Sequence, residues 1–326
     1  MTETDGTAAP LILSSTAPEG CAWKSGEGTP RVDFVELART LGAQLSYPPA
    51  ADTPLGGLER RLGLTLRQAL RARGRRASVW VSLSEGVGLP LATVDRGRTP
   101  HVMVAHNLMR PRMRAYTGIT RSLKRIDRIL VFSRSHEAYL RDELGVDDER
   151  VRFVYDKVDQ RFWSAQGAAG DGSVLSVGRE RRDYRVLLEA VRSPAVPTVI
   201  VANSLWVSGG RTGVAPVDRH VTVLQGLSFL ELRDRYDCAA VVVIPLRGLE
   251  RYAAGVNALE EAMAMGKAVI VTDTPGIADY VVDGETARVV PPGDARALRG
   301  VLNELLADEA ERARLGANAR AAIDCD

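Results

Sequence analysis

Two stretches in the second half of the chain combine residue types that suit an anionic ligand. In Ser176–Ala190 (SVGRERRDYRVLLEA) an apolar run ends at Gly178 and is followed by Arg179, Arg181 and Arg182, ahead of a helical pattern with Leu187, Leu188 and Ala190. Arginines between the carboxyl end of a strand and the start of a helix suit a polyphosphate, because each guanidinium offers a fork of donors to paired oxygens. In Tyr252–Asp294 (YAAGVNALEEAMAMGKAVIVTDTPGIADYVVDGETARVVPPGD) a turn of small residues, Ala253-Ala254-Gly255, opens a helix. The first amides of a helix lack internal acceptors, so Gly255, Val256 and Asn257 form an anion-binding mouth. Glu261 stands six residues beyond Gly255, about 9 Å along a helix axis. That separation suits a diphosphate at the mouth and a ribose hydroxyl pair held by the carboxylate. Asn257 and Glu261, four apart, share a face, with Val256, Leu259 and Met263 on the buried one. The competing readings are a plain amphipathic helix with two solvated glutamates, and an Arg cluster answered by Glu180 and Asp183.

The elements that would position these groups alternate in type. Short apolar runs stand at Leu11–Ser15, Ser78–Leu83, His101–Val104, Ile129–Ser133 and Val151–Tyr155, and helical patterns lie at Val32–Leu41, Leu64–Arg73 and His136–Leu144. The second half restarts at Ser173–Val177 and continues with Thr198–Ala202, Val221–Leu224, Ala239–Ile244, Ala268–Thr272 and Ala287–Val290. Continuous apolar strands between amphipathic helices predict parallel sheets covered on both faces. The reading is α/β: two doubly wound, Rossmann-like domains, 1–165 and 166–326, facing each other across a cleft where ligands bind. The flexible stretch Ser164–Gly172 (SAQGAAGDG) is the expected boundary. Asp308–Ala322 reads as a charged amphipathic helix.

Composition narrows the class. The chain has 326 residues, 45% of them hydrophobic and 26% charged, which suits two globular domains. The longest apolar stretch, Ala239–Pro245, is too short to span a bilayer. The polar, acidic N-terminus is not a secretory signal. Cys21, Cys238 and Cys325 are too far apart for a disulfide framework or a metal knuckle. The expectation is a cytoplasmic protein. Residues 1–165 carry 25 Lys and Arg against 19 Asp and Glu, and residues 166–326 carry 18 against 22. A basic half joined to an acidic half is what two domains with different partners show. Two basic runs stand out, Arg60–Arg76 and Met109–Arg128. They suit solvated helix faces, a phosphorylated acceptor or an anionic membrane surface. Neither has the aromatic interleaving of a single-strand nucleic-acid binder.

Taken together, the two anion-binding stretches resemble the C-terminal domain of the family 4 retaining glycosyltransferases, of GT-B fold. The matching residues are Gly178-Arg179, Arg182, Glu261-Ala262-Met263-Ala264-Met265-Gly266, Gly276, Asp283-Gly284 and Val290-Pro291-Pro292-Gly293-Asp294. In the first half, Val102–His106 resembles a family strand ending in a His that faces the donor sugar, and Ile129–Ser133 a strand-Ser-helix unit. Val154–Phe162 resembles the interdomain Pro-Asn-Gly-Val-Asp segment, with Tyr155-Asp156-Lys157 in place of Pro-Asn-Gly. The resemblance implies transfer of a sugar from a UDP- or GDP-type donor to a glycan, glycolipid or small natural product, with retention of anomeric configuration. His106, Arg179 and Arg182 would be catalytic, and Gly255, Val256, Asn257 and Glu261 would bind the donor. No resident cofactor or metal is expected. One departure stands out. The family's Glu-x7-Glu has its first Glu, a donor-sugar contact, at the position of Ala253; Glu250 and Asn257 are the nearby polar substitutes. The chain also ends before the C-terminal helix that in the family commonly crosses back onto the first domain. The alternatives are a GT-B sugar-nucleotide isomerase and a non-catalytic nucleotide-sugar-binding protein. A nicotinamide dehydrogenase is disfavoured, since no Gly-x-Gly-x-x-Gly follows a predicted strand.

Overall fold

The computed structural model describes residues 8–16, 28–49, 53–95, 99–202 and 218–325. Their contacts divide them into two units, one drawn from residues 1–20 and 31–154, the other from 21–30 and 155–326. The division falls at Val154/Tyr155 rather than at the expected 165/166. The reason is packing. Trp163 is buried against Phe229 and Tyr236, and the amides of Gln166 and Ala168 both donate to Asp237 Oδ2 at 2.9 Å. The small-residue stretch is thus bonded to the second unit. Cys21 lies outside the described residues, and Cys238 and Cys325 are free thiols.

In the first unit the order is β1 (Leu11–Leu13), α1 (Asp33–Leu41), β2 (Gln44–Ser46), α2 (Pro54–Leu62), α3 (Leu66–Arg73), β3 (Trp80–Ser82) and α4 (Glu85–Asp95). It continues with β4 (His101–Ala105), α5 (Pro111–Thr120), β5 (Arg128–Val131), α6 (Arg134–Asp142) and β6 (Val151–Phe153). The strands form one parallel sheet in the order β2-β1-β3-β4-β5-β6. β1 and β3 are buried at every residue. β2 is the strand absent from the sequence reading. It lies at the sheet edge and is half-exposed, so nothing requires an apolar run there.

The second unit contains β7 (Val174–Val177), α7 (Tyr184–Ala190), β8 (Thr198–Val201), β9 (Val221–Leu224), α8 (Phe229–Cys238) and β10 (Val241–Ile244). α9 (Val256–Ala264), β11 (Ala268–Thr272), β12 (Arg288–Val290), α10 (Ala295–Ala307) and α11 (Glu309–Cys325) follow. Its parallel sheet runs β9-β8-β7-β10-β11-β12, the Rossmann order 3-2-1-4-5-6. Leu175, Val177, Val242, Ile244, Val269 and Val271 pack with α8 and α9. The alternate residues Val174, Val241, Val243 and Ile270 pack with α7 and α10. Both faces are buried, hence the unbroken apolar strands. In such sheets ligands bind at the strands' carboxyl ends where the order reverses. Here that is the crevice between β7 and β10, and both anion-binding stretches follow those two strands.

Candidate functional site

Arg182 is the centre of the site in the second unit. It is only 5% exposed. Its Nε donates to the Val177 carbonyl at 2.9 Å and its Nη1 to the Glu180 carbonyl at 3.1 Å. Two glycines make room for the guanidinium. A Cβ on Gly178 would lie 2.5 Å from Nη2, and one on Gly255 would lie 3.0 Å from Nη1 and 3.1 Å from Leu246. Both glycines have positive φ, 108° and 90°, which L side chains adopt only at a cost. Among the described residues no carboxylate lies within ion-pairing distance of Arg182. Burial pulls its pKa down, against the attraction of Tyr184, Tyr236, Glu180 and Glu261. A guanidinium starts so high that it stays charged at neutral pH. The result is a desolvated cation with no directly paired carboxylate among the described residues, which an incoming anion would satisfy.

The mouth of α9 abuts this cation. Gly255 is its N-cap, and Leu259 N–H to the Gly255 carbonyl, 3.1 Å, is the first bond of the helix. The amides of Asn257 and Ala258 have no acceptor among the described residues. Arg182 and these amides therefore offer donors to one oxyanion at the β7/β10 crevice. Arg179, on the same loop, is half-buried.

Glu261 lies further along α9. Its Oε2 accepts a hydrogen bond from Tyr236 Oη at 2.9 Å, leaving Oε1 for a ligand. Burial pushes its pKa up to about 7, opposed by the Tyr236 hydrogen bond and by Arg182. The expectation that Asn257 and Glu261 share a face is corrected in its consequence. Asn257 is exposed, while Glu261 is 6% exposed and Glu260 3%. Helix α9 is buried at every other position because the sheet covers one side and α11 another. The reading of two solvated glutamates fails with it.

Ala253 is half-buried against the apolar core. Glu250 does not take its place, because its Oε1 pairs with Arg181 Nε at 3.2 Å. Arg181 Nε also donates to Tyr252 Oη at 3.3 Å, and that hydroxyl donates to Glu180 Oε1 at 3.1 Å. Burial pushes Tyr252 up to about 12, so its proton is retained at neutral pH. The sequence marked Arg181 only as one of a cluster. Tyr236 and Tyr252 carried no signal, since their partners are distant in sequence.

In the first unit His106 follows β4 and is exposed. Its Nε2 lies 3.1 Å from the Leu83 carbonyl, and its ring centroid 5.3 Å from that of Phe132. His101 and His136 are buried. His101 Nε2 lies 2.8 Å from Ser82 Oγ, and burial drives its pKa down to about 4 despite Asp127. His136 Nε2 accepts the Leu108 amide at 3.4 Å.

Comparison with known proteins fits this geometry. The model of the family "Glycosyl transferase 4-like domain" matches residues 16–156, and that of "Glycosyl transferases group 1" matches residues 215–322. The chain belongs to the group 1, family 4-like glycosyltransferases. It is 25% identical over 263 residues to the MMP alpha-(1->4)-mannosyltransferase of Mycolicibacterium hassiacum, a match covering 72% of this chain and 61% of that protein. A second match, 37% over 68 residues, is to the capsular polysaccharide biosynthesis glycosyltransferase CapM of Staphylococcus aureus, covering 21% and 18%. The chain thus spans less than two thirds of the length of either relative. Among solved structures it is similar to sucrose-phosphate synthase from Thermosynechococcus elongatus (TM-score 0.72, 18% identity, 97% of this chain and 94% of that one). It is also similar to Anabaena Alr3699/HepE in complex with UDP-glucose (TM-score 0.66, 14% identity, 97% and 94%). These likenesses give the fold, GT-B.

Proposed function

We propose that this chain transfers a sugar from a nucleoside-diphosphate sugar, of UDP or GDP type, to an acceptor with retention of anomeric configuration. The carrying observation is Arg182, a buried cation that has no carboxylate within ion-pairing distance among the described residues, beside the unbonded amides of α9. The family supports the transferase reading, and a structural neighbour solved with UDP-glucose supports the donor class.

In this reading the diphosphate sits at Arg182 and the Gly255–Asn257 mouth, with Arg179 beside it, and Glu261 Oε1 accepts from a ribose hydroxyl. As the bond from the anomeric carbon to the phosphate oxygen breaks, charge grows on the departing diphosphate. Fixed donors already aimed there stabilise the transition state more than the ground state. The leaving phosphate takes the acceptor's proton, so no protein nucleophile is needed and no metal enters the step. The first unit is assigned the acceptor, a glycan, glycolipid or small natural product. Its exposed arginines (Arg60, Arg61, Arg71, Arg112 and Arg114), with exposed Leu55, Leu58 and Leu62 on α2, suit an anionic acceptor, including one presented at a membrane surface. Among the described residues no helix is long and apolar enough to cross a membrane.

A second reading, nucleotide-sugar binding without turnover, is favoured by Ala253 together with the engagement of Glu250 by Arg181. One experiment separates the readings. The protein is incubated with a panel of UDP- and GDP-sugars, with and without EDTA, and free nucleoside diphosphate and epimers are followed alongside thermal shift. Diphosphate release that survives EDTA is the expected result. A UDP or GDP shift without release selects the binding protein, and no shift with any nucleotide overturns both readings.

A further inference from the structure

The loop after β4 is tied amide by amide to side chains from three places. His106 N–H donates to Glu85 Oε2 at 3.0 Å, and Asn107 N–H to Glu85 Oε1 at 3.3 Å. Leu108 N–H donates to His136 Nε2 at 3.4 Å, and Met109 N–H to Asn107 Oδ1 at 3.2 Å. Glu85 opens α4 and is 6% exposed; among the described residues it has no cationic partner. A buried carboxylate is costly, and here its compensation comes from two successive main-chain amides and the first turn of α4. Ordinary packing does not require a charge at this place. Two acceptor oxygens on one group do serve a specific purpose, because they clamp consecutive amides together. A glutamine offers one acceptor oxygen and would turn an NH2 toward the other N–H.

The clamp has a consequence for the imidazole. The turn carrying Glu85 also carries Leu83, whose carbonyl lies 3.1 Å from His106 Nε2. A carbonyl only accepts, so in the neutral ring the bond places the proton on Nε2 and leaves Nδ1 as an acceptor. Because the residue is exposed, that acceptor is open to a ligand hydroxyl.

We propose that Glu85 is the positioning residue for His106: it fixes the His106–Asn107 backbone against the β3–α4 turn, so that the ring is held by Leu83 and presents Nδ1 to a sugar hydroxyl. The catalytic part of this inference rests on the transferase reading above, whereas the clamp itself does not. The test is therefore split.

The first arm is hydrogen exchange at the amides of residues 106–109 in the full chain. Glu85→Gln, an isosteric change, accelerates exchange at His106 and Asn107 by at least about tenfold, while amides of β10 and β11 keep their protection. Unchanged exchange at those two amides overturns the clamp. If Glu85→Gln does not fold, Glu85→Asp, which keeps the charge and shortens the reach, is measured in the same way with the same criterion.

The second arm uses diphosphate release from the donor that wild type turns over. Glu85→Gln lowers kcat by about 10- to 100-fold with the UDP or GDP thermal shift retained. In the His106→Ala background the same change costs less than about twofold, because the group it positions is already gone. Equal losses in both backgrounds, or full kcat in Glu85→Gln, overturn the positioning role. A wild type that binds nucleotide without turnover sinks the transferase reading instead, and the exchange arm still decides the clamp.

Discussion

At the scale of single residues, the site turns on two buried ionisable groups with opposite problems. Arg182 is a cation in want of an anion. Its replacement by alanine removes donors whose value peaks as the diphosphate leaves, so kcat falls by about 10²–10³-fold while donor binding weakens less. Equal loss of binding with unchanged kcat, measured by steady-state kinetics against nucleotide titration, refutes that role. Glu261 is a carboxyl in want of a proton, its pKa raised from 4.5 to about 7 by burial. Between those values the folded state holds more protons than the unfolded one, so stability falls as pH rises from 4.5 to 7. The penalty at pH 8 is about 3 kcal/mol at 1.36 kcal/mol per pKa unit. Glu261→Gln is therefore expected to raise Tm at pH 8, with the gain vanishing toward pH 4.5, and to weaken UDP or GDP binding at both ends. In wild type, donor affinity rises from pH 6 to 8 as the carboxylate forms. Tyr236→Phe removes the bond that favours the ionised form and moves that rise to higher pH; a profile unmoved by Tyr236→Phe refutes the coupling. Arg182 and Glu261 were legible in the sequence because each stands at a fixed offset from a glycine turn. Glu85, Tyr236 and Tyr252 were not, because what they touch lies 21, 25 and 72 residues away.

At the scale of elements, the four inner strands of the second sheet, β7, β8, β10 and β11, were readable because strands buried on both faces must be largely apolar. The half-exposed edge strands β9 and β12 were readable from their valines. The edge strand β2 escaped for the opposite reason. Helix α9 shows a subtler limit. Its N-terminus was marked by Gly255, but its burial depends on α11, whose approach no local pattern announces. That approach is made by Gly316, where a Cβ would lie 2.0 Å from the Gly266 carbonyl oxygen. The contact is backbone on backbone and has no side chain to give way. Gly316→Ala is expected to push α11 off the α9–β11 turn and to cost about 1–3 kcal/mol by overpacking, read as a lower Tm. Arg182 and its two glycines do not touch α11, so UDP or GDP still binds below the transition. Loss of nucleotide binding in a folded Gly316→Ala protein would show instead that α11 tunes the mouth of α9.

At the scale of the whole molecule, the uneven charge poses a problem of sign. A donor that carries two phosphates is assigned to the acidic half, in which acids outnumber bases 22 to 18. The long-range field of that half does not favour the donor, so its binding rests on a few placed groups: one buried guanidinium and the free amides of a helix. Interactions formed out of solvent are screened far less than those between exposed charges. Nucleotide affinity is accordingly expected to change by less than about threefold between 50 and 500 mM salt. The basic half offers exposed arginines instead, and attraction at such a surface decays within a Debye length of about 10 Å at 0.1 M salt. The KM for an anionic acceptor should thus rise steeply over the same range. Titrating UDP or GDP and the acceptor separately against salt distinguishes the two modes. A donor affinity that collapses with salt would mean that the phosphates are held by solvent-reached arginines, the half-buried Arg179 first among them, and not by Arg182.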